Sequence, residues 1–172
     1  MSKGFFIDET KCTGCKACVI TCKDKCGLDA GMNLRTVEIE ESGTFPRVRV
    51  CFHSHSCHNC KNPACMAACP TGAMNRKNDL KLVMVNTEKC IGCGSCAKAC
   101  PFGAPTIDEE AKKCRKCDFC YDLITKGEKP ACVDVCNARA IDFGETDELK
   151  SKYKNAKALS GDTEPATLII EK

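Results

Sequence analysis

Apolar and polar residues alternate most clearly over residues 34–54, LRTVEIEESGTFPRVRVCFHS. Val37 and Ile39 on one side, and Val48, Val50 and Phe52 on the other, keep a period of two around the turn-like stretch ESGTFP. This pattern predicts a β-hairpin. LKLVMV, residues 80–85, predicts another short strand. ATLIIEK, residues 166–172, predicts a third, tying that end of the chain down after a polar, helix-like run over 146–159. Elsewhere the periodicity fades and loops dominate.

Composition explains why. Leu, Ile, Val and Phe together make up under a fifth of the 172 residues, and Trp is absent. A conventional core would be thin, so something besides side-chain burial must organise the chain. Nineteen residues are cysteine. A disulfide scaffold suits short exported chains, but nineteen is odd and the opening MSKGFFIDETK reads as lacking the apolar segment of an export signal. No stretch approaches the roughly 20 apolar residues of a membrane span. A reduced, metal-binding chain is the expectation.

The cysteines repeat. DETKCTGCKACVITC, residues 8–22, matches NTEKCIGCGSCAKACP, residues 86–101. Both read C-x2-C-x2-C-x3-C, with Cys12, Cys15, Cys18 and Cys22 in one and Cys90, Cys93, Cys96 and Cys100 in the other. A third group with one residue more in its second gap contains Cys57, Cys60, Cys65 and Cys69. Three thiolates spaced this way wrap one cubane cluster, and Gly14, Gly92 and Gly94 let backbone amides approach the sulfurs. The fourth cysteine is expected to open a helical segment and serve the other cluster of a pair. Zinc modules usually separate two C-x2-C pairs by about 12 to 20 residues, which is looser than this crowding.

The last group, CRKCDFCYDLITKGEKPACVDVC, holds five cysteines: Cys114, Cys117, Cys120, Cys132 and Cys136. Spacing leaves the surplus one open, because Cys114, Cys117 and Cys120 also imitate the start of a standard group. Every predicted cluster has four cysteines to draw on, so none is compelled to bind substrate, and no radical-enzyme C-x3-C-x2-C run occurs. The formal charge of +3 would fall to about −5 with four clusters of roughly −2 each. Lys11, Lys16, Lys23, Lys61, Lys89, Lys98, Lys113, Arg115 and Lys116 flank the cysteines, some solvated and some offsetting cluster charge. His53, His55 and His58 bracket Cys57. They read first as hydrogen-bonding residues of a polar loop and strand end, and second as tuning groups. Met66, Met74 and Met84 read as packing residues.

The chain resembles the four-cluster iron–sulfur subunit of the dimethyl sulfoxide reductase, or molybdopterin oxidoreductase, type. Formate dehydrogenase and nitrate reductase electron-transfer subunits share the pattern. CTGCKACVITCK resembles its first group, HSCHNCKNPACMAACPTGAM its second, KCIGCGSCAKACPFGAP its third and KCDFCYDLITKGEKPACVDVC its fourth. The resemblance places Cys114 outside the fourth group. It also implies crosswise pairing. Cluster one would take Cys12, Cys15, Cys18 and Cys136; cluster two, Cys57, Cys60, Cys65 and Cys100. Cluster three would take Cys90, Cys93, Cys96 and Cys69; cluster four, Cys117, Cys120, Cys132 and Cys22. Cys26, Cys51 and Cys114 are left as buried small residues or thiols hydrogen-bonded near a cluster. Lys23 and Asn137 stand where this pattern often has proline.

The implied fold is a small, loop-rich α+β arrangement. Two ferredoxin-like 2×(4Fe–4S) units interleave in sequence, with an inserted β-hairpin near 34–54. Residues 1–49 and 109–145 form the outer unit with clusters one and four, 50–108 the inner unit with clusters two and three, and 146–172 a C-terminal tail. The implied function is that of a non-catalytic iron–sulfur subunit of an oxidoreductase complex. It would pass single electrons to or from a molybdenum- or tungsten-containing bis-pterin catalytic subunit, in a heterodimer or larger assembly. A redox donor protein or membrane anchor is a further possible partner. A free-standing polyferredoxin shuttle is the alternative. A zinc-loaded nucleic-acid binder fits less well, since two Tyr and no Trp leave few stacking platforms. The expected location is cytoplasmic, or exported only in complex with a signal-bearing catalytic subunit.

Overall fold

The computed structural model describes residues 2–77 and 79–172. In chain order the elements are β1 (Lys3–Asp8), α1 (Ala17–Lys25), β2 (Thr36–Ser42), β3 (Arg49–His55), α2 (Ala64–Ala67), β4 (Met74–Lys77), β5 (Leu82–Val85) and α3 (Ser95–Ala99). There follow β6 (Thr106–Asp108), β7 (Lys113–Arg115), α4 (Tyr121–Ile124), α5 (Ala131–Asp134), β8 (Ile141–Glu145), α6 (Thr146–Lys152), β9 (Lys157–Ala158) and β10 (Leu168–Ile170). The protein is therefore a small α+β structure of short elements and several small sheets.

The largest sheet has the order β8-β1-β10-β9. β1 runs antiparallel to β8, pairing Phe5 with Phe143, and parallel to β10, pairing Phe6 with Leu168. Successive strand residues face opposite ways, so Phe5 and Phe6 serve different layers. Phe5 stacks on Phe119 with centroids 5.1 Å apart and lies 5.3 Å from Phe143. Phe6 stacks on Tyr153 at 3.6 Å and packs with Leu149 and Leu168.

The expected hairpin is present as β2–β3, with Val37 opposite Ser54 and Ile39 opposite Phe52. LKLVMV supplies β5, which pairs with β4, and ATLIIEK supplies β10. The helix-like run at 146–159 divides. α6 stops at Lys152, and residues 157–158 become an edge strand beside β10. Met66 and Met74 pack around Cys65, Cys90 and Cys96, whereas Met84 packs against the other core group, which holds Cys117 and Cys132.

Asn59 joins three segments. Fully buried and at φ 46°, its Nδ2 donates to the carbonyls of Lys3 at 2.9 Å and Lys81 at 3.2 Å, and its Oδ1 accepts from the Val83 amide at 3.0 Å. Removing the amide orphans those groups and places a less tolerant residue at positive φ. Asn59→Ala is expected to destabilise by about 2–3 kcal/mol, lowering the melting temperature by roughly 5–10 °C in an anaerobic thermal melt. A shift under about 2 °C would show that the joint carries no such weight.

Candidate metal centre

Each cysteine group is a loop feeding a short helix. The chain reaches α1 through Gly14 at φ 68° and Lys16 at φ 59°, and α3 through Gly92 at φ 68° and Gly94 at φ 74°. The left-handed turns differ in residue but not in geometry, as expected of a repeat. A Cβ on Gly92 would lie 2.4 Å from the Lys112 carbonyl oxygen, so only glycine fits that close approach.

The structure corrects one expectation. The helices open just before the third cysteine of a group, at Ala17 before Cys18 and at Ser95 before Cys96. The fourth cysteine opens nothing. Cys100 caps the end of α3 in extended backbone, φ −79° and ψ 117°. Pro101 accounts for this, because proline disfavours a helical conformation in the residue before it. Where Lys23 replaces proline, α1 instead runs through Cys22 to Lys25.

Folding gathers cysteine groups that are distant in sequence. α1 packs on α5, and α2 on α3. The Cys12 thiol is pushed up by burial and by the nearby Cys136 and Cys15. Burial likewise pushes up Cys18, which lies near Cys132 and Cys12. Cys65, up at about 11 through burial, has Cys57, Cys100 and Cys60 as neighbours. Cys69 is a charge neighbour of Cys93, and Cys132 of Cys120. A narrow cleft is lined by Cys22, Cys117, Cys120 and Cys132 together with Cys26, Arg35, Phe5 and Phe119. Among the described residues no three Cys, His, Asp or Glu side chains converge as a site for one ion.

Several sulfurs receive hydrogen bonds. Backbone amides donate from Met74 to Cys69 at 3.4 Å, from Cys114 to Cys90 at 3.3 Å and from Ala140 to Cys136 at 3.3 Å. The Thr163 hydroxyl lies 3.3 Å from Cys60 Sγ. Of the three cysteines outside the implied ligand sets, Cys114 is buried with its Sγ 3.6 Å from Cys96 Sγ. Cys26 is hydrogen-bonded to Cys22, a contact that with burial pushes Cys22 up. Cys51 sits in β3 opposite Glu40.

Two cations prove to be buried among the thiols. Arg35 is 1% exposed; its Nη1 and Nη2 donate to the Ser54 and Ser56 hydroxyls at 2.8 and 2.9 Å. Its guanidinium lies 4.6 Å above the Phe5 ring. Lys116 is 7% exposed, with Nζ 3.3 Å from Cys57 Sγ and 2.7 Å from the Cys117 carbonyl oxygen. Burial opposes both charges. Negative charge on the sulfurs of Cys132, Cys117, Cys18 and Cys22 around Arg35, and of Cys57, Cys117 and Cys65 around Lys116, outweighs it. An isolated charge is very unfavourable in such surroundings. Four-thiolate 4Fe–4S centres, each near −2, are the kind of counter-charge these cations fit, and soft thiolate donors suit iron–sulfur clusters. Lys116 stands out in sequence only as one of many basic neighbours of cysteine; nothing in LRTV flags Arg35.

The histidines separate into different roles. His53 bridges buried Glu9 at 2.7 Å and exposed Glu40 at 3.0 Å. Burial lowers the pKa of His55. His58, held at about 4 by burial, bonds the Thr167 hydroxyl at 2.8 Å and meets the edge of Phe102.

Comparison with known proteins agrees with this chemistry. A 4Fe–4S dicluster domain model matches residues 48–146, and a 4Fe–4S binding domain model matches residues 9–28. The iron–sulfur subunit of the anaerobic dimethyl sulfoxide reductase of Escherichia coli is 40% identical over 165 residues, covering 91% of this chain and 80% of that one. Its counterpart in Haemophilus influenzae is 42% identical over 159 residues, covering 87% and 77%. A subunit of the sulfite dehydrogenase of Allochromatium vinosum is 36% identical over 171 residues, covering 87% and 71%.

Proposed function

Because this protein belongs to the family of iron–sulfur subunits that includes that of anaerobic dimethyl sulfoxide reductase, we propose that it relays single electrons through four 4Fe–4S clusters. The other end of the relay is a catalytic subunit carrying a molybdenum or tungsten bis-pterin cofactor. In this reading Cys12, Cys15, Cys18 and Cys136 hold one cluster, and Cys117, Cys120, Cys132 and Cys22 its pair. Cys57, Cys60, Cys65 and Cys100 hold another, paired with that of Cys90, Cys93, Cys96 and Cys69. The chain then divides into an outer unit, residues 1–49 and 109–145, and an inner unit, residues 50–108, with 146–172 as a tail.

The observation that carries the reading is the cleft edged by Cys22, Cys117, Cys120 and Cys132. Cys26 lines it as well, hydrogen-bonded to Cys22; the other four come from two sequence groups far apart in the chain and match the set that crosswise pairing requires. Packing of α1 on α5 and of α2 on α3 supports the same interleaving.

Clusters so held supply one-electron exchange. The chain's own part is to close every coordination position with a thiolate, which leaves no place for an organic substrate. Amide donors at Cys69, Cys90 and Cys136 favour the more negative, reduced state. The β2–β3 hairpin exposes Ile39, Val48 and, at 91%, Phe45. A set of apolar side chains left in solvent suits a subunit that docks on a partner better than a freely diffusing shuttle. Among the described residues no helix is long and apolar enough to cross a membrane.

Anaerobic iron and acid-labile sulfide analysis of the parent and of Cys114→Ser tests the assignment. About sixteen of each per chain in both forms is expected. A fall to about twelve in the variant would put Cys114 in the ligand set. Stoichiometric zinc with little iron would end the electron-relay reading.

A further inference from the structure

Lys116 occupies a place that electron relay alone does not call for. It follows β7 and precedes Cys117, yet its Nζ reaches Cys57 Sγ, 59 residues away in sequence, at 3.3 Å. Its second contact, 2.7 Å to the Cys117 carbonyl, anchors the ammonium beside the other group. The Phe119 ring, 5.8 Å away, closes the apolar side. The cation thus touches the first cysteine of the second group and adjoins the first ligand of the fourth. In the ligand sets above, on which this inference rests, those cysteines belong to different cluster pairs.

We propose that Lys116 is the electrostatic bridge between the two pairs, raising together the reduction potentials of the clusters held by Cys57 and by Cys117. A fixed positive charge in a low-dielectric junction favours the added electron on whichever side it resides. Without it, two strongly negative centres face each other across the junction, and reduction of either is disfavoured. The crossing is a one-electron exchange: one core is oxidised by one electron and the other reduced by one. No bond forms or breaks, and Lys116 keeps its proton throughout. Arg35 does not duplicate this role, because its thiolate neighbours, Cys132, Cys117, Cys18 and Cys22, all lie in the first and fourth groups.

The test is an anaerobic redox titration followed by electron paramagnetic resonance on the parent, Lys116→Met, Lys116→Arg and the exposed-site control Lys154→Met. Cys100→Ser and Cys132→Ser serve to assign the Cys57 and Cys117 signals. In Lys116→Met both of those signals should become at least tenfold harder to reduce, about 59 mV for a one-electron couple. The other two should move less than threefold, and Lys116→Arg and the control should stay near the parent. Should Lys116→Met lose iron, Lys116→Gln is read in the same way, since it keeps a hydrogen-bond donor but no charge. A shift in neither signal, in only one, or equally in all four overturns the bridge, as does an arginine variant that behaves like methionine. A parent with fewer than about sixteen irons sinks the ligand sets instead, whereas a full complement with unmoved potentials sinks the bridge alone.

Discussion

Iron removed from this protein by chelation under mild oxidation takes the cooperative thermal transition with it. The reason lies in the interior. Arg35 and Lys116 are both buried among thiols, and no carboxylate bonds to either among the described residues. With the iron gone, burial pushes thiols such as Cys117, Cys65 and Cys120 up, so they protonate and cease to offset the cations. Leaving a buried charge uncompensated costs about 3–5 kcal/mol. Two such losses approach or exceed the roughly 5–15 kcal/mol by which a native protein is stable at all. The apolar residues that remain, chiefly around Phe5, Phe6, Leu82 and Leu168, are too few to compensate. Near-ultraviolet circular dichroism on protein verified as iron-free should show a non-cooperative slope. A sharp transition within about 5 °C of the loaded protein would mean that side-chain packing alone holds the fold.

Arg35→Met should be the most damaging change outside the cysteines. Methionine keeps an apolar chain of similar length but removes the charge over Phe5 and the donors that reach the buried Ser54 and Ser56 hydroxyls. The expected loss is about 3–5 kcal/mol, which for a chain of this size lowers the melting temperature by about 10–15 °C. Iron should fall as well, from about sixteen toward twelve or eight, since the thiols nearest Arg35 belong to the first and fourth groups. Arg35→Lys should recover part of the iron but not all the stability, because an ammonium cannot reproduce the two-pronged reach to both serines. Unchanged iron and melting temperature in Arg35→Met would remove the guanidinium from any account of cluster binding.

The β2–β3 hairpin was legible because one of its faces alternates, and β5 because LVMV is a compact apolar run. β1 and β8 were missed for the opposite reason. GFFID has consecutive apolar residues because both faces of β1 are covered, Phe5 by Phe119 and Phe143 and Phe6 by Tyr153, and such a run has no period to read. The helix foreseen at 146–159 ends early because Tyr153 turns inward, stacking on Phe6 and hydrogen-bonding Asp142 at 2.7 Å. Cysteine spacing carried the iron–sulfur chemistry, since three thiols of each of the first three groups lie within a few residues of one another. It could not carry Arg35, whose meaning depends on thiols supplied by residues 117 and 132.

The parallel pairing of β1 with β10 bears on biosynthesis. Phe6 leaves the ribosome early, but its partner Leu168 emerges only when nearly all the residues between them have been made. The central sheet therefore closes after translation of that whole span, and contacts so remote in sequence form slowly. Every cysteine of the chain lies between those two strands, so all the thiol-bearing loops are made before the sheet that spans them can close.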